Sequence, residues 1–378
     1  MTRSAPRTSF ATTFSCAAAN KLSTDTVFSG FETIPASLHN EHGQFPLASG
    51  CALLTVAVIN QKGGVGKTTT TVNLGAGLAR LGARVLLLDF DPQANLTSHI
   101  EPVRDGERGG TTYDLIRERR PIVELVVETS EENLFAIPAG DDLAGIELEM
   151  ASEIGRETIL RDQLASAEAD GFAPDFVLID CPPSLGLLAI NALTAADEAL
   201  VPIQAEFFAL SGMARFVDVQ NLVQNRLNER LRLAGIVICM WKGNARLSHE
   251  VRDEVRNVFG DVLYHGVIRQ NVKLAEAPSA ARTIFDYAPE SNGAADYAAL
   301  AMEFLRRHDR PVPPDALELL LRARAPETGA GSEISPKPEA STVDKEETSP
   351  EAPDAPSADI SDATEEPVQL DGTDSASS

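Results

Sequence analysis

Apolar and polar positions fall in repeating blocks between residues 55 and 308. Short β-branched runs read as buried strands at 55–60, 84–89, 133–138, 175–180, 198–202, 233–240 and 262–268. Between most of them apolar residues recur at helical spacing, over 66–81, 187–196, 211–230, 248–259 and 295–307. Strand runs without polar alternation belong to a sheet covered on both sides. The pattern therefore predicts an α/β fold, a mainly parallel sheet with helices on both faces. Such sheets bind ligands beyond the carboxyl ends of their strands.

The two ends of the chain lack this pattern. Residues 1–50 are rich in Ser, Thr and Ala and hold five Phe without a sustained period, so they read as a disordered N-terminal extension. No charged head precedes an apolar stretch, so no secretory signal is read. "LASGC", ending at Cys51, has the form of a lipoprotein cleavage site but no apolar run before it. No Met lies between Met1 and Met150, so a shorter product would need a non-Met start. Residues 51–310 are expected to form the folded domain. Residues 311–325 hold "ALELLLRARA", a short helix or linker expected to pack on that domain. Residues 326–378 contain no aromatic residue and much Pro, Ser, Glu and Asp, the composition of an acidic disordered tail.

Charge changes the picture in one respect. The formal net charge of −24 would repel nucleic acid and anionic membranes. But residues 326–378 carry fourteen acidic residues and two lysines, a net −12, so half the excess sits in the tail and local patches must be judged separately. The four cysteines, Cys16, Cys51, Cys181 and Cys239, have no metal-ligand spacing and are expected as free thiols in a reducing cytoplasm. The longest apolar runs fall far short of the roughly 18 residues of a membrane span.

The candidate chemistry begins after the first strand, in "VAVINQKGGVGKTTTTVNLGAGLARLG". "GGVGKT" leaves a strand and opens a helix, the setting of a phosphate-binding loop. Gly63, Gly64 and Gly66 allow a tight turn close to an anion. The amides of Gly63, Gly64, Val65 and Gly66, with the helix N-terminus, would cradle phosphates. Lys67 would meet the β- and γ-phosphates of ATP, Thr68 would ligate Mg²⁺, and Thr69 would bond the α-phosphate. Asp89 and Asp91 flank Phe90 at one strand end, and Asp180 closes "FVLID" at another. Carboxylates at strand ends can hold Mg²⁺ directly or through water, or simply cap turns. A second lysine, Lys62, stands directly before the first loop glycine.

Here the chain resembles a known family. "KGGVGKTTTTVNLGAGLARLG" looks like the deviant Walker A box of the ParA/MinD ATPases. "LLLDFDPQANLT", "FVLIDCPPSLGLLAINAL", "VPIQAEFFALSGMARF" and "VIRQNVKLAEAPS" resemble the ParA-type boxes that follow, from about residue 56 to 305. The resemblance implies a P-loop NTPase fold and an ATP-sandwich homodimer in which Lys62 reaches across to the partner's nucleotide. It implies Lys62, Lys67 and Asp91 as the catalytic set, with Asp91 positioning the attacking water. Thr68, Asp89 and Asp180 form the metal set, Asp180 acting through water and Asp89 chiefly supporting the loop. Ser184 is implied as a sensor of the γ-phosphate.

The implied function is ATP-dependent partitioning of a chromosome or plasmid. An ATP-bound dimer binds non-specific DNA in the nucleoid, and a ParB-like partner stimulates hydrolysis. Between Lys242 and Arg282 seven basic residues face five acidic ones, and Arg246, Arg269 and Lys273 are the expected DNA contacts. This chain departs from the family there. It has "MWKGNARLS" where "MYDGRTRLS" is usual, and "RQN" where "PRN" is usual. The alternatives are ParA-like positioning of a protein cluster and MinD-like positioning cued by a membrane. For the latter only "ALELLLRARA" could serve as the membrane helix, and an acidic tail follows it. A reductase with an iron–sulfur cluster would need a second cysteine to accompany Cys181, and the sequence supplies no convincing one.

Overall fold

Eight strands form one sheet in the order β3-β4-β2-β5-β1-β6-β7-β8. They are β1 (Leu54–Val58), β2 (Val85–Asp89), β3 (Val127–Glu128), β4 (Leu134–Ile137), β5 (Phe176–Asp180), β6 (Glu198–Gln204), β7 (Arg232–Trp241) and β8 (Leu263–Arg269). The computed structural model describes residues 52–100, 109–172, 174–206 and 209–322. The extension at 1–50 and the tail at 326–378 lie outside the described residues. Every pairing is parallel except β3 with β4. The seven expected strands are all present, within two residues at each end. β3, two residues long and antiparallel at the sheet edge, left no periodic signal.

Two apolar layers cover the sheet. One holds Leu86, Leu88, Ile137, Val177 and Ile179 with the helices Ile159–Ala169 and Leu187–Ala195. The other holds Val56, Val58, Leu87 and Leu178 with the helices Lys67–Arg80 and Asn292–Arg307. The five expected helices are present with shifted ends. The fourth begins two residues earlier than read, at Arg246, and the third ends at Arg226, short of 230. Beyond that end, Asn228 donates its side-chain amide to the carbonyls of Leu193 and Ala196, at 3.1 and 2.6 Å, and turns the chain towards β7. The helix Ile159–Ala169 was not among the expected elements, because Asp, Gln, Ser and Glu interrupt its apolar spacing.

The helix Lys67–Arg80 carries the phosphate loop, and its composition explains its place. It is buried on nearly every side, with Thr, Asn, Gly and Ala where a surface helix would place large polar residues. A Cβ at Gly75 would lie 2.7 Å from Leu87 Cδ2, and one at Gly77 would lie 2.9 Å from Ala301 Cβ. The helix therefore sits against both β2 and the helix Asn292–Arg307 at a separation only glycine permits. At its far end Arg80, 6% exposed, bonds Glu131 and Asp286. The same guanidinium donates to the carbonyls of Leu320 and Arg322. These bonds fasten the short helix Ala316–Leu321, which buries Ala316 and Leu320 in the core.

Because Ala301 is short and part of a helix, it cannot swing aside. Gly77→Val is expected to lower unfolding free energy in denaturant by about 1–3 kcal/mol through overpacking. Unchanged stability would show that the two helices do not meet this closely.

Candidate functional site

The strand register assembles the site. Val58 of β1 and Asp89 of β2 both lie level with Asp180 of β5, so the acids and the loop after β1 emerge together at the carboxyl end of the sheet. Gly64 and Gly66 take positive φ angles of 71° and 92°, which a side chain would disfavour. Gly66 caps the helix at Lys67. Behind it lies Cys239, whose Cβ would be 3.7 Å from a Cβ at this position. Asn60 fixes the entry to the loop. Its side chain donates to the Pro202 carbonyl at 2.7 Å and accepts from the Lys62 amide at 2.9 Å.

Of the expected residues, Lys67, Thr68, Asp89, Asp91 and Asp180 come together. Thr68 Oγ1 donates to Asp180 Oδ2 at 2.6 Å, and Thr71 Oγ1 lies 3.3 Å from Asp180 Oδ1. Asp89 Oδ2 accepts from Thr97 through its amide at 2.9 Å and its hydroxyl at 2.7 Å. Asp89 Oδ1 accepts the amide of Asp91 at 3.2 Å. Asp89 is thus a brace for the segment that carries Asp91. Asp91 Oδ1 accepts from the Gln93 amide at 3.0 Å. Gly63, Gly64 and Val65 form the loop, with both glycines exposed and Val65 buried; Thr69 and Ser184 stand at least partly open to solvent.

The two lysines differ sharply. Lys67 is 7% exposed at the helix N-terminus. The Lys62 side chain is 50% exposed, and its ammonium bonds Gln204 Oε1 at 2.9 Å and the Glu206 carboxylate. Gln204 also donates its amide to the Gly64 carbonyl at 3.1 Å. Gln204, Asn60, Thr71 and Thr97 are site residues that the sequence reading missed. A polar residue ending an apolar strand, as Gln204 ends β6, is the signal that could have marked it.

Burial dominates the electrostatics. It pushes the Asp180 carboxyl up to about 8, with the neighbouring Asp89 charge as the next cause, against the hydroxyl of Thr68 and the charge of Lys67. It raises Asp89 to about 6 in spite of the bonds from Thr97. A cluster that is acidic, buried and short of positive charge fits a divalent cation. Among the described residues no three His, Cys, Asp or Glu side chains form a metal cage. The donor set therefore suits Mg²⁺ taking the Thr68 hydroxyl directly and its other oxygens from phosphates and water.

The expected DNA contacts lie on the same side of the sheet. Trp241 and Arg269 are level in the β7–β8 pairing, so the loops after these strands emerge side by side. Each contact residue is paired: Arg246, with its side chain 91% exposed, with Glu250 at 2.6 Å; Lys273 with Glu276 at 2.8 Å. Arg269 is held by Asp296 through several short bonds. Lys242, Arg256 and Arg282 form no ion pair among the described residues. Cys181 and Cys239 are free thiols, both buried.

The parallel sheet, the glycine loop opening a buried helix and the paired strand-end acids define a P-loop NTPase of the deviant Walker A type. A family model described as "AAA domain" matches residues 54–233. The chain is 44% identical over 248 residues to the sporulation initiation inhibitor protein Soj of Bacillus subtilis, covering 66% of this chain and 96% of that protein. It is 43% identical over 255 residues to the chromosome partitioning protein ParA of Caulobacter vibrioides, covering 68% and 95%. Among solved structures it matches cobyrinic acid a,c-diamide synthase of Mycobacterium smegmatis with bound ATP analogue and magnesium. That match has 32% identity and a TM-score of 0.57, over 69% of this chain and 99% of the other. The chain belongs to the ParA/Soj family of partitioning ATPases.

The raised Asp180 carboxyl has a stability consequence. Its folded pKa exceeds its unfolded value, so the folded state keeps a proton that the unfolded chain releases as pH rises. The burial cost is therefore complete only above about pH 8 and shrinks towards pH 4. Asp180→Asn, whose amide can bond the Thr68 and Thr71 hydroxyls, is expected to raise the Tm of the nucleotide-free protein. The gain should reach on the order of a few kcal/mol at pH 8 and fade towards pH 5 in thermal scans. A gain independent of pH would show that Asp180 does not carry this cost.

Proposed function

We propose that this protein is an ATP-hydrolysing partitioning ATPase that binds ATP with Mg²⁺, dimerises around the nucleotide, and in that state binds DNA without sequence preference. The observation that carries the reading is the division of labour between two lysines on one loop. Lys67 is buried at the helix N-terminus, where a phosphate of its own subunit would lie. Lys62 is half exposed at the surface, the position from which it serves a nucleotide held by a second copy.

The amides from Gly63 to Thr69 hold the phosphate chain, and Lys67 offsets its charge. Thr68 would hold Mg²⁺, with Asp180 and Asp89 acting through water, and the ion would supply positive charge to the phosphate oxygens. Asp91 orients the attacking water. Its Oδ1 is fixed by the Gln93 amide, and Oδ2 takes part in no hydrogen bond among the described residues. Lys62 of each subunit supplies positive charge at the other's nucleotide, so the dimer forms only with ATP in place. Ser184, exposed beyond β5, senses the γ-phosphate.

Arg246, Arg269 and Lys273 form the DNA-facing edge with Lys242, and two copies in the dimer act together. A ParB-like protein stimulates hydrolysis and releases the dimer, and the site of action is the cytoplasm at the nucleoid. A membrane-cued role is disfavoured, since the one candidate helix buries Ala316 and Leu320 in the protein's own core.

The test is binding to non-specific duplex DNA with ATP, ADP or no nucleotide. Wild type is expected to bind with ATP alone and to weaken linearly in log affinity against log salt. Lys62→Ala should abolish binding while leaving the ATP affinity of the monomer unchanged. Lys273→Glu should weaken binding uniformly across sequences and reduce the salt slope by about 1. Intact ATP binding without any ATP-dependent DNA binding would refute the DNA reading.

A further inference from the structure

We infer that Glu206 holds Lys62 within its own subunit and thereby sets the threshold for ATP-dependent dimerisation, an inference that rests on the cross-interface role proposed for Lys62. In the single chain the Lys62 ammonium is already occupied, by the Glu206 carboxylate and by Gln204 Oε1. To reach a partner's phosphates it must leave both.

Glu206 is placed by its backbone for this contact. Its amide donates to the Gln204 carbonyl at 2.8 Å, which closes a turn at the end of β6, and its own carbonyl accepts from the Ala209 amide at 3.0 Å. Gln204 ties that turn to the phosphate loop through the Gly64 carbonyl. The backbone of Glu206 is therefore held beside the loop, and its half-exposed carboxylate is bound there by Lys62. Among the described residues, Lys62 is the cation that pairs with Glu206.

Two costs follow when Lys62 departs. The ion pair is lost, and an uncompensated carboxylate is left near incoming phosphates, where like charges repel. Both groups are about half exposed, so solvent screens the effect and keeps it modest. A latch of this strength delays dimerisation without preventing it. In a symmetric dimer it acts twice, because each subunit must release its own lysine. Gln204 bonds Lys62 without carrying charge, so it orients the lysine at no comparable electrostatic cost.

The test is the dimer dissociation constant by sedimentation equilibrium of the full chain, with a non-hydrolysable ATP analogue and Mg²⁺. Four proteins are compared: wild type, Glu206→Gln, Lys62→Ala and the double variant. Glu206→Gln keeps an acceptor for Lys62 but removes the charge. It should tighten dimerisation about 2- to 30-fold, the range expected of two exposed ion pairs, and the difference should shrink as salt is raised. Nucleotide affinity of the monomer should stay at the wild-type value. In the Lys62→Ala background Glu206→Gln should tighten dimerisation less than in wild type, because the ion pair is already gone and only the repulsion of phosphates by the carboxylate is left to relieve, a result that a purely structural role would not produce.

Equal or weaker dimerisation of Glu206→Gln, or the same tightening without Lys62, overturns the latch. Should Lys62→Ala dimerise as well as wild type, the cross-interface role of Lys62 fails and the latch fails with it. Loss of the dimer in Lys62→Ala together with no effect of Glu206→Gln removes the latch and leaves that role standing. No dimer in any of the four overturns both.

Discussion

Burial of the helix Lys67–Arg80 constrains everything around it. A helix packed on nearly all sides can carry no long polar side chain in its middle, and this one carries Thr, Asn, Gly and Ala. Its glycines let it approach Leu87 and Ala301 more closely than any side chain would allow. Its hydroxyl and amide groups must then find partners inside the protein. Thr70 meets Tyr297 at 3.1 Å, Thr71 reaches Lys67 and Asp180, and Asn73 receives the amide of Ile284 at 2.8 Å. The phosphate loop, Asp180 and the segment that opens at Ile284 are thus referred to one rigid body.

That arrangement stores charge without balance. Asp89 and Asp180 are buried side by side, and the surrounding hydroxyls and Lys67 do not fully offset the cost. The imbalance has a direction, since it is relieved by a cation brought in with a polyanion. A site built in this way favours nucleotide with metal over either alone. It also explains why the empty site contributes less to stability at high pH than at low pH.

The opposite imbalance was expected at the end of β7 and β8, and there the structure is more restrained. Arg246, Arg269 and Lys273 each face a carboxylate, so the local surface is closer to neutral than a count of basic residues suggests. An exposed pair such as Arg246 with Glu250 is easily opened by a phosphate, because it is worth little in water. Arg269 is different. Its guanidinium is held by Asp296, which is largely buried, and it serves the fold at least as much as the surface.

The sequence by itself determined the architecture and pointed to the loop and strand-end acids that the fold brings together. Uninterrupted β-branched runs demand a sheet covered on both faces, and glycines followed by Lys and Thr between strand and helix admit few other uses. These are local signals, fixed by backbone period and turn chemistry. The sequence did not determine what depends on residues far apart in the chain. Gln204 and Glu206 lie more than 140 positions from Lys62, and only the parallel β1–β6 pairing brings them to it. Thr97 marks Asp89 as a brace through a bond that no spacing announces. The pairing of Arg269 with Asp296 across 27 positions likewise turns an expected surface contact into a held one. Side-chain pairing across a sheet is decided by register and packing together, and those exist only once the chain has folded.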